Sequence, residues 1–321
     1  MSHQPKLFLG SEFDQGKEDF SLFHILPVPY EESVSYGGGT SRGPAAILDA
    51  SDQLEAYDGT GFPGEEGFYT HAPVDCQGGQ PLVFPRITEA VQRILSYPHP
   101  GLKYGGKKHT PETPLQSIFR KIPIVLGGEH SITFPVIQAF ANVFGAQNIG
   151  VVQFDAHADL HEAYDGNPYS HASVMYRINQ DLNIPIYQLG IRALGPDEIF
   201  YRTTHGIPGI DGPELGMNNI TECRLPEDFP PLVFITFDVD GLDPAIMPST
   251  GTPVPGGIGW YQALGLLNSV AKQRRIIGFD VVELAPIANL HAPDYLAAEL
   301  THKLMGIIAR STLSNPDWST P

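Results

Sequence analysis

Between residues 122 and 283 the chain repeats one pattern. A short apolar run is followed by acidic or imidazole side chains, and stretches with helical spacing lie between. The runs starting at Ile122, Ile149, Leu232 and Arg275 lead into Gly127-Gly128-Glu129-His130, Asp155-Ala156-His157-Ala158-Asp159, Asp238-Val239-Asp240 and Asp280-Val281-Val282-Glu283. Apolar runs without alternation read as strands buried on both faces, as in a parallel sheet covered by helices. The expected fold class is therefore α/β, with a mostly parallel central sheet. Ligands in such sheets bind beyond the carboxyl ends of the strands, so the four polar clusters are expected to meet in space.

The remaining chain fits this frame. Phe23 to Val28 reads as a first strand and Ile184 to Leu189 as another. Helical patterns are read at 44–57, 86–97, 131–144, 196–204, 260–273 and 293–310. Residues 58–80 look irregular. The Pro/Gly/Lys-rich stretch 98–116 reads as an insertion, on the surface or at the site entrance. Residues 1–20 are expected to be a flexible arm and 21–315 a single domain. The triple glycine Gly37-Gly38-Gly39 lacks the Gly-Lys-Ser/Thr ending of a phosphate-binding loop.

Charge narrows the function classes. With 36 acidic against 19 basic residues the net charge is −17, and no basic cluster suits a phosphate backbone, so nucleic acid is not an expected partner. An acidic surface suits a small cationic substrate, although solubility accounts for it equally well. No apolar run reaches the roughly 20 residues needed to span a bilayer, and no secretion signal is read at the N-terminus. Cys76 and Cys223 alone make no disulfide framework. A cytoplasmic protein without membrane association is the expectation.

Six residues at the strand ends are candidate metal ligands: His130, Asp155, His157, Asp159, Asp238 and Asp240. Singly, several of these residues and the nearby Glu283 have plain structural alternatives: His130 as a core or capping histidine, the aspartates as turn formers, and Glu283 as a partner of Arg192. Together at successive strand ends they point to metal. Four carboxylates and two imidazoles exceed what one zinc ion takes. A set rich in oxygen and free of cysteine favours Mn²⁺, while imidazole also suits nickel, iron or zinc. A pair of divalent ions fits the count and would cancel the mutual repulsion of the carboxylates.

These segments resemble the ureohydrolase family of arginases and agmatinases. The resemblance is carried by Gly127-Gly128-Glu129-His130-Ser131, Phe154-Asp155-Ala156-His157-Ala158-Asp159, Phe237-Asp238-Val239-Asp240-Gly241-Leu242-Asp243-Pro244 and Asp280-Val281-Val282-Glu283-Leu284-Ala285-Pro286, with Tyr36 to Pro44 near the N-terminus. It implies a three-layer α/β/α fold and two Mn²⁺ ions per chain, with other divalent metals such as Ni²⁺ possible. His130, Asp155, Asp159 and Asp238 would hold one ion, and Asp155, His157, Asp238 and Asp240 the other. It further implies hydrolysis of a guanidino compound to urea and an amine. Asp159 would orient the attacking oxygen, Glu283 would accept hydrogen bonds from the guanidinium, and His171 would protonate the leaving amine. It implies a homo-oligomer, trimer or hexamer.

Where arginase places an asparagine for the α-amino acid, two positions beyond Asp159, this chain has His161. The run to His171 looks closer to the agmatinase branch, making agmatine, cleaved to putrescine and urea, the expected substrate. Glu162 and Asp165 would meet its amine or be solvated loop residues. Guanidinobutyrate, guanidinopropionate and guanidine are alternatives, as are a formimino-group hydrolase, a single-zinc deacetylase-type hydrolase and a metal-binding regulatory or assembly subunit.

Overall fold

The computed structural model describes residues 6–96, 103–104, 107–108 and 121–314. The strands are β1 (Phe23–Val28), β2 (Phe68–Thr70), β3 (Lys103–Tyr104), β4 (Lys107–Lys108), β5 (Ile122–Gly127), β6 (Ile149–Phe154), β7 (Ile186–Leu189), β8 (Gly209–Ile210), β9 (Leu232–Asp238) and β10 (Arg275–Val282). The helices are α1 (Gly43–Ser51), α2 (Gln80–Ser96), α3 (Thr133–Phe144), α4 (Val174–Leu182), α5 (Pro196–Thr204), α6 (Gly212–Met217), α7 (Trp260–Gln273) and α8 (Ala292–Ser314).

Eight strands form one sheet in the order β2-β1-β5-β10-β9-β6-β7-β8, and every pair is parallel. The strands β1, β5, β6 and β10 are buried along their whole length, which is why their sequences are mostly apolar, with His24, Gln153, Arg275 and Asp280 as the buried polar exceptions. Side chains alternate between two cores. From β9, Val233, Ile235 and Phe237 enter the core that holds α1, α7 and α8, while Phe234 enters the core that holds α2, α3 and α4. The result is a three-layer α/β/α arrangement.

The order of the strands places the site. The chain leaves β5, crosses to β6, and later fills the gap with β9 and β10. Such a reversal opens a crevice at the carboxyl ends of the flanking strands. The four strands that carry the predicted ligands and Glu283 are therefore adjacent. Beneath the crevice, Phe154 and Phe237 stack with ring centroids 4.9 Å apart, a fully buried floor under Asp155 and Asp238. Two glycines are needed for close approach. A Cβ on Gly128 would stand 1.9 Å from the Tyr30 carbonyl oxygen, and one on Gly241 would stand 2.8 Å from the Asp155 nitrogen.

Several sequence expectations change. Residues 6–20 are not a loose arm: Phe8 and Leu9 are buried, with their N–H groups donated to Thr70 and Ser51. The irregular stretch 58–80 contains β2. Helix α1 ends at Ser51 rather than near Tyr57, and α2 begins at Gln80, ahead of Pro85. Pro85 lies in the second turn of that helix, where it has no N–H to donate to the Pro81 carbonyl. The 98–116 insertion lies outside the described residues except for the backbone of the antiparallel pair β3–β4.

Candidate metal centre and cleft

The predicted ligands converge. His130 opens the short turn before α3, and its Nε2 lies 2.8 Å from Thr236 Oγ1 on β9, two strands over from β5. A ring hydrogen on Nε2, donated to Thr236, would leave Nδ1 with a lone pair. Around Nδ1 stand carboxylate oxygens of Asp159 at 3.0 Å, Asp155 at 3.2 Å and Asp238 at 3.4 Å, yet none makes a hydrogen bond to it. A fully buried imidazole nitrogen without a hydrogen-bond partner, facing three carboxylates, is the geometry of a cation ligand. The second set is built on the other side of Asp155, with His157 Nδ1 2.9 Å from Asp240 Oδ2 and 3.8 Å from Asp155 Oδ1. Within each of the sets His130–Asp155–Asp159 and Asp155–His157–Asp240 the ligand atoms lie within 4.8 Å of one another, and Asp155 belongs to both.

Local backbone geometry holds these groups. Asp155 accepts from the His157 N–H at 2.6 Å and from Gln153 Nε2 at 2.8 Å. Asp238 accepts from the Asp240 N–H at 2.8 Å, and Asp240 from the Ala156 N–H at 2.9 Å, so the ends of β6 and β9 fix each other. Asp159 adopts φ 53°, a left-handed conformation that costs a non-glycine residue about 1–2 kcal/mol. Its carbonyl accepts two N–H groups of the first turn of α4, at 3.1 Å each, which offsets that cost. Glu283, φ 64°, is held by its own N–H to Gly128 and by its Oε1, which accepts the His130 N–H at 2.6 Å.

The charges are in conflict without a cation. Burial, reinforced by the charges of Asp159 and Asp240, raises Asp155 to about 7. Burial and the charges of Asp240 and Asp155 push Asp238 well above the carboxylate range, and burial and Glu129 do the same to Glu283. Burial opposes a charge on His157, but Asp240 overrides it and raises the imidazole to about 10. The residues therefore fit a pair of divalent ions, which would take the place of these protons. Affinity for Mn²⁺ is expected to fall as pH drops below about 10, where the proton on His157 competes, and to fall more steeply below about pH 7, where Asp155 takes up a further one. Competition titrations against a fluorescent chelator at several pH values measure it, and a pH-independent affinity would contradict the arrangement.

Above the ligands a cleft of about 350 Å³ is lined by His157, Asp159, His161, His171, Glu283 and Glu198, among others. His161 is tethered by Asp197, 2.6 Å from its Nδ1. Glu162 and Asp165 are not brought to the cleft; both are exposed. The loop folds back on itself, with the His161 N–H donating to the Ala172 carbonyl, so its ends meet at the site while its middle faces solvent. Arg192 does not pair with Glu283. Its guanidinium binds backbone carbonyls, among them Asp240 at 2.7 Å and Val254 at 2.7 Å, and so clamps the loop after β9. The triple glycine wraps a carboxylate of the chain itself: Glu31 accepts the N–H groups of Gly39 and Ser41.

Glu198 escaped the sequence reading because it looks like an ordinary acid in the first turn of a surface helix. Here it is buried, accepting the Leu160 N–H at 3.0 Å and the Gly195 N–H at 2.6 Å, and it lines the cleft. Burial raises its pKa.

A model of the arginase family matches residues 21–306. An N(1)-aminopropylagmatine ureohydrolase of Synechocystis sp. is 34% identical over 308 residues, covering 94% of each chain. An agmatinase of Bacillus anthracis is 32% identical over 274 residues, covering 82% of this chain and 83% of its own. The structure of an agmatine ureohydrolase of Thermoplasma volcanium superposes with a TM-score of 0.75 at 25% identity, covering 96% of this chain and 94% of that one.

Proposed function

Because this chain belongs to the arginase family, we propose that it is a binuclear-metal hydrolase that releases urea from a guanidino compound, with agmatine, cleaved to putrescine and urea, as the leading substrate. The observation that carries the reading is Asp155, common to two ligand sets at the carboxyl ends of adjacent strands. His130, Asp155, Asp159 and Asp238 would hold one ion, and Asp155, His157, Asp238 and Asp240 the other, Mn²⁺ being the metal that this oxygen-rich set suits best. Such a pair would supply a water acidified toward neutral pH, and so a nucleophile for the guanidinium carbon.

The chain's own groups do the rest. Glu283, with Oε1 held by the His130 N–H, offers its other oxygen to the guanidinium in a charge-assisted hydrogen bond. Asp159 accepts a hydrogen bond from the attacking water and orients it. His171 gives a proton to the departing amine nitrogen as the C–N bond breaks. The reading includes a homo-oligomer in the cytoplasm. No described helix is long and apolar enough to cross a membrane.

A second substrate is favoured by the Synechocystis relative, whose name specifies N(1)-aminopropylagmatine. That compound carries an additional amine, and the carboxylate of Glu198 lies in the same cleft. Urea release from agmatine, N(1)-aminopropylagmatine, guanidinobutyrate, guanidinopropionate, guanidine and arginine, with formamide measured in parallel on a formimino substrate, tests the reading. One of the first two is expected to give the highest kcat/KM. Formamide without urea, or no product from the metal-loaded protein, would overturn it.

A further inference from the structure

Behind the cleft wall lies a carboxylate that the proposed chemistry does not use. Glu129 is fully buried and both of its oxygens are committed. Oε2 accepts the backbone N–H groups of Glu32 and Ser33, each at 2.6 Å. Oε1 accepts the hydroxyls of Ser33 at 2.7 Å and Ser131 at 2.5 Å. Ser33 in turn faces His171 twice: the His171 backbone N–H donates to Ser33 Oγ at 3.0 Å, and the same oxygen lies 3.3 Å from His171 Nδ1.

A serine hydroxyl has one hydrogen to give. A buried carboxylate claims it more strongly than a neutral imidazole, because the bond to the carboxylate is charge-assisted. Ser33 can then only accept from His171, and a hydrogen bond between them requires the ring hydrogen on Nδ1. We propose that Glu129, acting through Ser33, fixes His171 as the Nδ1–H tautomer, leaving Nε2 as the nitrogen that takes up the mobile proton and hands it to the departing amine. Ser33 and Glu129 are positioning residues: they hold the imidazole in orientation and stabilise it when Nε2 is protonated. The proton taken at Nε2 leaves on the amine nitrogen, so the imidazole returns to its starting form. The inference rests on the reading of His171 as the proton carrier. One competing arrangement exists in the site: Ser170 Oγ lies 3.4 Å from the same Nδ1 while accepting the Ala172 N–H at 3.2 Å. A hydrogen donated by Ser170 would reverse the tautomer.

The test uses the metal-loaded full chain and four variants, Ser33→Ala, Ser33→Thr, Ser170→Ala and His171→Ala, with urea release followed across pH. Ser33→Ala is expected to lower kcat by about 10- to 100-fold, the usual loss when the partner orienting a functional imidazole is removed. KM and bound metal should stay within about twofold, and the limb of the profile set by His171 should move to lower pH by about half a unit or more, because the imidazolium loses an acceptor. Ser33→Thr, which keeps the hydroxyl, should recover most of the rate and the position of the limb. Ser170→Ala should leave the limb in place. If Ser33→Ala keeps both kcat and the limb while His171→Ala is inactive, the positioning role is wrong and the carrier role stands. If Ser170→Ala moves the limb and Ser33→Ala does not, the opposite tautomer is the working one. If His171→Ala itself turns over normally, the carrier reading fails and the positioning role with it.

Discussion

Asp155→Asn is expected to lower urea release by at least about a thousandfold, because Asp155 belongs to both candidate ligand sets and losing a ligand common to two ions would forfeit several kcal/mol of charge stabilisation, about 1.4 kcal/mol being a factor of ten in rate. The variant should also bind less metal. Ligand binding stabilises the native state by about 2.7 kcal/mol when the free ligand is at a hundred times its Kd. Added Mn²⁺ should therefore raise the Tm of the unsubstituted protein strongly and that of Asp155→Asn far less. A variant that loses turnover but keeps two bound ions and the full Tm increment would show that Asp155 has another role.

His171→Ala has the second-largest expected effect, and its signature is different. Removing a general acid costs about 10²- to 10⁴-fold in rate. His171 stands at the end of the 161–171 loop and belongs to neither ligand set, so metal content and the Mn²⁺-dependent rise in Tm should be unchanged. The loss should appear in kcat with little change in KM. Loss of bound metal would mean that His171 acts on the ions, and an unchanged kcat would remove it from the reaction. The two variants together separate holding the metal from moving the proton.

Much of this was legible because parallel strands buried on both faces write themselves as apolar runs, and sites in such sheets lie at the strand ends. β1, β6 and the helices at 196–204 and 260–273 have the bounds read from the sequence. His130, the aspartates and Glu283 announce themselves as polar residues directly after such runs. What was not legible depended on contacts between segments distant in sequence. β2 and β8 are only three and two residues long and exist by pairing with longer neighbours. Helix α4 is started by the Asp159 carbonyl, a partner that no local capping pattern reveals. Glu198 is buried by N–H groups from Leu160 and Gly195, and Glu162 and Asp165 point to solvent because the loop closes on itself through His161 and Ala172. Leu7-Phe8-Leu9 is a run of three large apolar residues in a polar stretch, and Phe8 and Leu9 anchor this segment in the core.

The central claim, urea-forming hydrolysis supported by two divalent ions, is tested most directly by adding Mn²⁺ stepwise to chelator-treated protein while bound metal and urea release from agmatine and N(1)-aminopropylagmatine are measured on the same samples. The account predicts that urea release is absent without metal, rises with loading and levels off at two ions per chain. Full activity at a single bound zinc ion, or two ions bound with no urea formed from either compound, would contradict it.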